Sequence, residues 1–466
     1  MKDKKLLQSI NNFAQKMASQ IYFRSLRDGF VSTVPFLVIG GLLILINNVI
    51  ISPDGGWISG FVDHSTLTTL QEFGNKIVNG SYNIYALIMG AFISNNLAKN
   101  RGQENPIFES ILTIAVIFVL LPLNNMIIPN GSEKAVEVSG IVQYANLGTS
   151  GVFVAIFSAI LTTELYIKLS RSPKLKIKLG NGVPLAVAQS FEAMASIMIT
   201  LLAFGALSFF VHLITHLEIG ELVNQIIQTP LMHLTGSLPG FLFLMFVNNI
   251  LFGLGIHPGG IVNPVLEPPL LVAMNQNTSA YAAHQAIPNI IVLPFRDVYG
   301  FIGGTGSTLA LIIAIFIVGR VQANKQFAKV SGPLGLFNIN EPVIFGFPVV
   351  LNPMIMIPFV VGPILSFIIA YFATWAGLVG KLVVYVPWSM PPLFNSFIAS
   401  GGDFRNVILQ GILLVMMVII YIPFLRIHET TMAIEAAEEK EVVDMKKGTN
   451  VKSEISDDFS DFSDFK

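Results

Sequence analysis

FVSTVPFLVIGGLLILINNVII, residues 30–51, runs for 22 residues without a charged side chain. About 20 such residues in a helix cross the ~30 Å hydrocarbon core of a bilayer, so the stretch reads as a membrane span. The composition extends that reading to the whole chain. Of 466 residues 53% are apolar and only 12% charged, and mean hydropathy is +0.68. Soluble domains carry about 25% charged residues. The charges also crowd the ends, since only 31 of the 55 (27 basic, 28 acidic) serve residues 29–426. So few cannot make a water-facing surface, and the fold class that follows is an all-α polytopic membrane protein.

Other classes fall with the same numbers. Net charge is −1 and pI about 6.7, which leaves no basic field for nucleic acid. The basic start leads into amphipathic sequence rather than a short apolar core with a cleavage site, so no secretory signal is expected. Cysteine is absent, which excludes disulfides, thiolate metal sites and a cysteine nucleophile on this chain.

Further spans read at Tyr82–Ala98, Ile107–Ile128, Val152–Leu169, Met194–Ile214, Gly240–Leu254, Thr308–Val318, Met354–Trp375 and Val407–Phe424. With short and interrupted segments included, about ten transmembrane helices are expected. Lysine and arginine bias sets orientation. They gather at the start (Lys2, Lys4, Lys5, Lys16, Arg24, Arg27), at Lys99 and Arg101, and over 168–178. The intervening stretches 52–80 and 130–150 hold only Lys76 and Lys134, and 215–239 holds none. The alternation predicts a cytoplasmic N-terminus.

Four regions are expected. Residues 1–28 form a cytoplasmic lead whose segment 10–28 spaces Ile10, Phe13, Met17 and Ile21 as an amphipathic helix on the inner leaflet. Residues 29–238 are regular transmembrane helices, and 239–426 is a transmembrane region of another kind. Residues 427–466 are an acidic cytoplasmic tail, with a short solvated helix around Glu435–Glu441 and a low-complexity DDFSDFSDFK end expected to be disordered.

Between 253 and 353 hydropathy breaks up. GLGIHPGGIVNPVLEPP (253–269), LPFRDVYGFIGGTG (293–306) and SGPLGLFNINEPVIFGFPVVLNP (331–353) concentrate Gly, Pro, Asn and charge. Such residues interrupt the helical ladder and free backbone polar groups. At membrane depth that is tolerated only inside protein or along a watery cavity, the recurring setting of a transport site. Re-entrant hairpins around a polar cavity are therefore expected. Intramembrane ionisable residues are functional candidates by default. His257, before Pro258-Gly259-Gly260, and Glu341, between Asn340 and Pro342, are the strongest. Glu267, before two prolines, reads as a loop residue. Arg296 and Asp297 are either functional or a loop at the interface. Trp388, in YVPWSMPPLFNSF (385–397), is either a stacking face for a sugar or an interfacial belt tryptophan.

Two other motifs are weak. GGTGST (303–308) lacks the lysine and preceding strand of a phosphate-cradling loop and reads as a hairpin tip. His212, His216 and Glu218 invite a metal site, but interfacial histidines at a helix end explain them as well.

LGLFNINEPVIFGFPVVLNP (334–353) with GIHPG (255–259) resembles the permease component, enzyme IIC, of bacterial phosphoenolpyruvate-dependent sugar phosphotransferase systems, lactose/cellobiose/diacetylchitobiose branch. RSLRDGFVSTVPFLVIG (24–40), LGTSGVFVAI (147–156) and NGVPLAVAQSFEA (181–193) fit the same branch, and the similarity spans about residues 8–426. The resemblance implies a homodimeric transporter in the bacterial cell membrane, with dimerisation on the side of 29–238 and substrate binding in 239–426. It implies a β-linked disaccharide as substrate, membrane lipid around it, and neither cofactor nor metal. In such families a phosphocysteine on IIB is the donor. A chain without cysteine then needs a separate cytoplasmic phospho-IIB, and the basic 168–178 loop is where it is expected to dock.

By the same resemblance, His257 and Glu341 match the pair that binds the reacting sugar hydroxyl. Glu341 is expected to be the base and His257 to orient the hydroxyl, with the reverse also open. Asn340, Asn146 and Trp388 match substrate-contact positions. The rivals are an ion-coupled secondary sugar transporter, which broken helices and Glu341 would equally suit, and a membrane metallohydrolase built on His212, His216 and Glu218.

Overall fold

The computed structural model describes residues 20–53, 56–127, 134–148, 151–179, 183–347 and 349–458, without the side chains of Leu185 and of 435–458. Helices of ten residues or more are numbered. They are α1 Ile21–Leu45, α2 His64–Asn79, α3 Tyr85–Asn100, α4 Ile107–Val119, α5 Val152–Ser170, α6 Leu185–Thr215, α7 Leu238–Gly253, α8 Asn263–Ala282, α9 Thr308–Val318, α10 Gln322–Gly335, α11 Pro353–Trp375 and α12 Phe404–Asp458.

Among the described residues six helices are long and apolar enough to span, or seven if the bent pair Ile219–Gly236 and Leu238–Gly253 makes one; α4 and α9 are shorter apolar helices. The ten expected from hydropathy exceed this count. One reason is the stretch 107–128. Pro122 follows Leu121, so the helix stops at Val119. Beyond it Asn124–Ile127 forms strand β1, antiparallel to β2 (Val136–Ser139), with Asn125 opposite Val138.

The start also differs from expectation. Residues 10–19 lie outside the described residues, but 21–28 are not a separate surface helix. They open α1, whose first turn is capped by Gln20 Oε1 accepting from Tyr22 N at 2.9 Å and Phe23 N at 3.1 Å. At the other end α12 continues past its apolar part to Asp458, and the DDFSDFSDFK end falls largely outside the described residues.

α1 packs along α3 and α3 along α5. Small residues permit the approach, as usual where no hydrophobic effect drives helices together in lipid. At Gly29 a Cβ would stand 2.5 Å from Ile93 Cγ1. One apolar core runs from these helices through Phe241 and Met245 of α7 and Leu266 and Leu270 of α8 to Phe367 of α11. A second surrounds Phe347, Phe359 and Tyr421 beneath α9.

Two π turns interrupt the regular ladder near these cores, at Ile46–Ile50 and Arg296–Gly300. In each a bond skips one residue: Ile51 N donates to Ile46 O at 2.9 Å and Phe301 N to Arg296 O at 3.0 Å. Glu429 of α12 closes the far end of the second core. It accepts from Arg320 N at 2.7 Å and Asn324 Nδ2 at 2.9 Å, so the last helix grips the start of α10.

Candidate functional site

A cavity of about 280 Å³ opens where α1, α8 and the broken segments meet, near the low end of the roughly 300–1,000 Å³ typical of small-molecule sites. His257, Glu341, Asn340 and Trp388 all line it. Four residues separated by up to 131 positions in sequence thus share one space. Asn146 does not join them. It sits on the short helix Tyr144–Leu147, its carbonyl against Gly151, away from the lining.

The loops around the cavity have irregular backbone and are held by side chains. Asn338 has φ +59°, a left-handed conformation that asparagine tolerates. Its Nδ2 donates to Trp388 O at 2.5 Å and Met390 O at 3.1 Å, while its Oδ1 accepts from Gly303 N at 2.7 Å. One buried amide therefore ties three loops together and sets where Trp388 stands. Trp388 is 47% exposed and lines this space. Asn340 donates to Thr305 O at 2.8 Å, so part of its amide capacity holds the GGTG turn. That turn is the packed hairpin tip expected. Tyr421 Oη donates to Gly306 O at 2.7 Å, and a Cβ on Gly304 (φ +97°) would come within 2.5 Å of Asn340 Cγ.

His257 precedes the 3₁₀ turn Pro258–Gly260, where its Nδ1 accepts from Gly259 N at 3.2 Å. A neutral imidazole whose Nδ1 accepts carries its hydrogen on Nε2. His257 thus offers a ligand a donor. Glu341 begins the helix Glu341–Gly346 and is exposed to the cavity; a carboxylate there is an acceptor. One side chain offers a donor and the other an acceptor, which is what a hydroxyl group, itself both, can meet.

Sequence reading missed the cluster beside them. Glu267 is not a loop residue: α8 runs through it and through Pro268 and Pro269. Nor do Arg296 and Asp297 form an interface loop, because the π turn that carries them is buried. Arg296 Nε donates to Asp297 Oδ1 at 2.9 Å, and its Nη1 to Asn263 Oδ1 at 3.3 Å and Glu267 Oε1 at 3.5 Å. The three charged side chains are 11 to 18% exposed. A buried charge must be paired and hydrogen-bonded to be tolerated, and this one is. Arg27 of α1 also lines the cavity, having read only as an orientation signal. The usable clue for Glu267, Arg296 and Asp297 was their charge inside an otherwise apolar stretch. The lining therefore holds three carboxylates against two guanidinia.

His212, His216 and Glu218 lie at the end of α6. His212 Nδ1 stands 3.3 Å from Glu218 Oε1, while His216 terminates the helix with φ +56°. Among the described residues no three His, Asp or Glu side chains gather as metal ligands would.

The family model described as "Phosphotransferase system, EIIC" matches residues 27–363. The Lichenan permease IIC component of Bacillus subtilis is 31% identical over 428 residues, covering 91% of this chain and 93% of the relative. A cellobiose-specific EIIC component of Geobacillus stearothermophilus is 30% identical over 425 residues, with the same coverages of 91% and 93%. A crystal structure of the transporter ChbC, the IIC component from the N,N'-diacetylchitobiose-specific system, superposes with TM-score 0.85 and 33% identity, over 93% of this chain and 99% of that one.

Proposed function

This chain belongs to the EIIC family of the phosphotransferase system, and on that premise we propose that it carries a β-linked disaccharide of the cellobiose or chitobiose kind inward and presents it to a separate phospho-IIB. The observation that carries the reading is the meeting of His257, Glu341 and Trp388 in one cavity beside a packed, irregular backbone. Trp388 supplies a stacking face, Nε2–H of His257 a donor, and Glu341 an acceptor.

In the reaction Glu341 takes the proton of the sugar hydroxyl as its oxygen attacks the phosphorus of IIB phosphocysteine. The new O–P bond forms, the S–P bond breaks, and the cysteine leaves as thiolate on IIB. The fixed Nδ1 contact of His257 supports Glu341 as base, because the histidine then has an N–H to give and no lone pair at Nε2 to take a proton. Three carboxylates against two guanidinia make the cavity a poor host for the doubly charged product. Release and trapping follow from the same charges.

The cavity is lined by Arg27, Phe30 and Val31 of the first half of α1 and reaches Leu37 beyond its midpoint. With the N-terminus in the cytoplasm, as the lysine and arginine asymmetry supports, it is approached from the inside, where phospho-IIB docks beside the basic 168–178 loop. Sugar from outside arrives by movement of the region 239–426 against the helices of 29–238. The latter meet in a homodimer, a reading supported by the exposed apolar face of α6 at Met198, Leu202 and Phe209, which lipid or a second copy must cover.

The test uses membrane vesicles with cognate IIB, following phosphate label from phospho-IIB onto a panel of disaccharides for wild type and Glu341→Gln. Sugar-dependent transfer, lost in the variant while sugar binding persists, is expected. Uptake that needs no IIB and collapses with the proton gradient would reinstate the ion-coupled transporter, which the family match does not favour.

A further inference from the structure

A second pocket, of about 460 Å³, lies at the opposite end of α1 from Arg27. Its walls are Asn47 and Asn48 of the π turn that follows α1, Ser52 and Pro53 just beyond it, His64, Thr68, Gln71 and Asn75 from α2, and Ala282 at the end of α8 with His284 after it. The four α2 residues follow one another by four, three and four positions, the spacing of a single helix face. Opposite them the π turn changes what α1 presents. In an α-helix Ile51 N would bond Asn47 O; here it bonds Ile46 O. The freed Asn47 carbonyl accepts from Gln71 Nε2 at 2.7 Å, and Asn47 Nδ2 donates to Asn75 Oδ1 at 2.9 Å. The helices meet closely because Gly74 leaves room: a Cβ there would stand 2.2 Å from Asn47 Oδ1. His284 is held at φ +52°, a conformation that costs free energy in a non-glycine residue and collects at functional sites.

The chemistry of this pocket is narrow. Among the described residues its lining has amides, hydroxyls and imidazoles, and no Lys, Arg, Asp or Glu. These described residues offer no carboxylate to a cation and no fixed positive charge to an anion. Amides both donate and accept, the pattern that suits neighbouring hydroxyls of an uncharged polyol. The amides are also only partly used. Gln71 and Asn48 spend their NH₂ groups on Asn47 O and Ile44 O, at 2.7 and 2.8 Å, which leaves Gln71 Oε1 and Asn48 Oδ1 as acceptors. The NH₂ of Asn75 remains as a donor.

We infer that this pocket is a second, outer sugar-binding site, which holds the uncharged disaccharide on the extracytoplasmic face before the sugar reaches the cavity of Glu341. The site rests on the transport reading above. It works by raising the local concentration of sugar at the mouth of the protein, and it turns away phosphorylated sugar, for which it has no cation.

The test is equilibrium dialysis of labelled cellobiose against the whole chain in lipid nanodiscs, joined to uptake by right-side-out vesicles loaded with phospho-IIB. Two binding phases are expected. Asn48→Ala and Gln71→Ala remove the weaker one and leave the tighter, and Trp388→Ala does the reverse. In uptake, Gln71→Ala raises KM about fivefold, ~1 kcal/mol at tenfold per 1.4 kcal/mol, with the saturated rate held within about twofold. His284→Ala, on the other wall, repeats the result should an α2 variant fail to fold. A single phase untouched by all three pocket substitutions, or normal transfer with unchanged KM, overturns the outer site and leaves the transport reading standing. Transfer to no disaccharide at all brings down both.

Discussion

In α1, α3 and α5 the backbone satisfies itself, and side chains are left to fit surfaces together: Gly29 under Ile93, and Ser94 Oγ with Thr163 Oγ1 at 2.7 Å. Between residues 253 and 410 the backbone cannot do so, and side chains take over its hydrogen bonds. Asn277 Nδ2 donates to Asn289 O and Leu382 O, both at 2.8 Å. Thr278 Oγ1 donates to Val383 O at 2.8 Å, Gln410 Nε2 to Val298 O at 2.7 Å, and Lys381 Nζ to Ile287 O at 2.5 Å. The difference teaches where polarity in a membrane protein is structural. In lipid an orphaned carbonyl costs several kcal/mol, so each break in a helix calls for an amide or hydroxyl from elsewhere. Function then occupies the groups this bracing leaves over.

The sharpest division between bracing and chemistry is at Glu341. Glu341→Gln should lower phosphate transfer at least about 100-fold, the usual contribution of a general base, while cellobiose binding and thermal unfolding stay near wild type. A variant that transfers normally would put the base elsewhere. Asn338→Ala tests the bracing itself. It strands Gly303 N, Trp388 O and Met390 O together, and should cost about 3 kcal/mol and weaken binding through Trp388. Gly306→Ala should cost a similar amount, about 3 kcal/mol, because φ is +79° and the new Cβ would meet Phe359 Cδ2 at 2.1 Å. Both are read as loss of thermal stability in detergent.

The regular region should be far more tolerant. Ser94→Ala removes a buried hydroxyl pair, yet interhelical hydrogen bonds in membranes average only about 0.6 kcal/mol. A loss as large as that of Asn338→Ala would erase the contrast between the two regions. The smallest effect concerns Asp403, just before α12. Hydrogen bonds from the Arg405 side chain, then from Arg405 N and Gly380 N, hold its carboxyl below the usual carboxylate range. A depressed folded-state value contributes stability above the unfolded value of about 3.9, lost as pH falls through the folded one. Unfolding temperature should therefore drop slightly below about pH 4, and Asp403→Asn should flatten that part of the profile.

The same contrast explains what was legible in the sequence. Hydropathy found the long apolar helices, and the shorter one at Thr308–Val318 to the residue, because lipid selects composition directly. It also found the broken region, because Gly and Pro announce themselves. It ran the apolar stretch on through β1, since Met126 and Ile127 are apolar in either conformation and only Pro122 marks the stop. Glu267 was misread because its two prolines signal a break, yet α8 carries both inside. Asn338 stands two residues from Asn340 in the same NIN motif, and nothing in the letters says that one braces three loops and the other a single turn. The meeting of His257, Glu341, Asn340 and Trp388 depended on resemblance; composition alone gave candidates and no pairing.

Each π turn amounts to one residue more than its helix needs. An α-helix advances about 100° per residue, so removing one residue from Arg296–Gly300 would restore regular bonding and swing everything before it by that angle relative to everything after. Arg296 and Asp297 would leave the cavity although no contact in it had been mutated. Aligned against any relative whose helix is regular here, the chain should show a one-residue insertion. Such an insertion is a change of phase, written as a change of length.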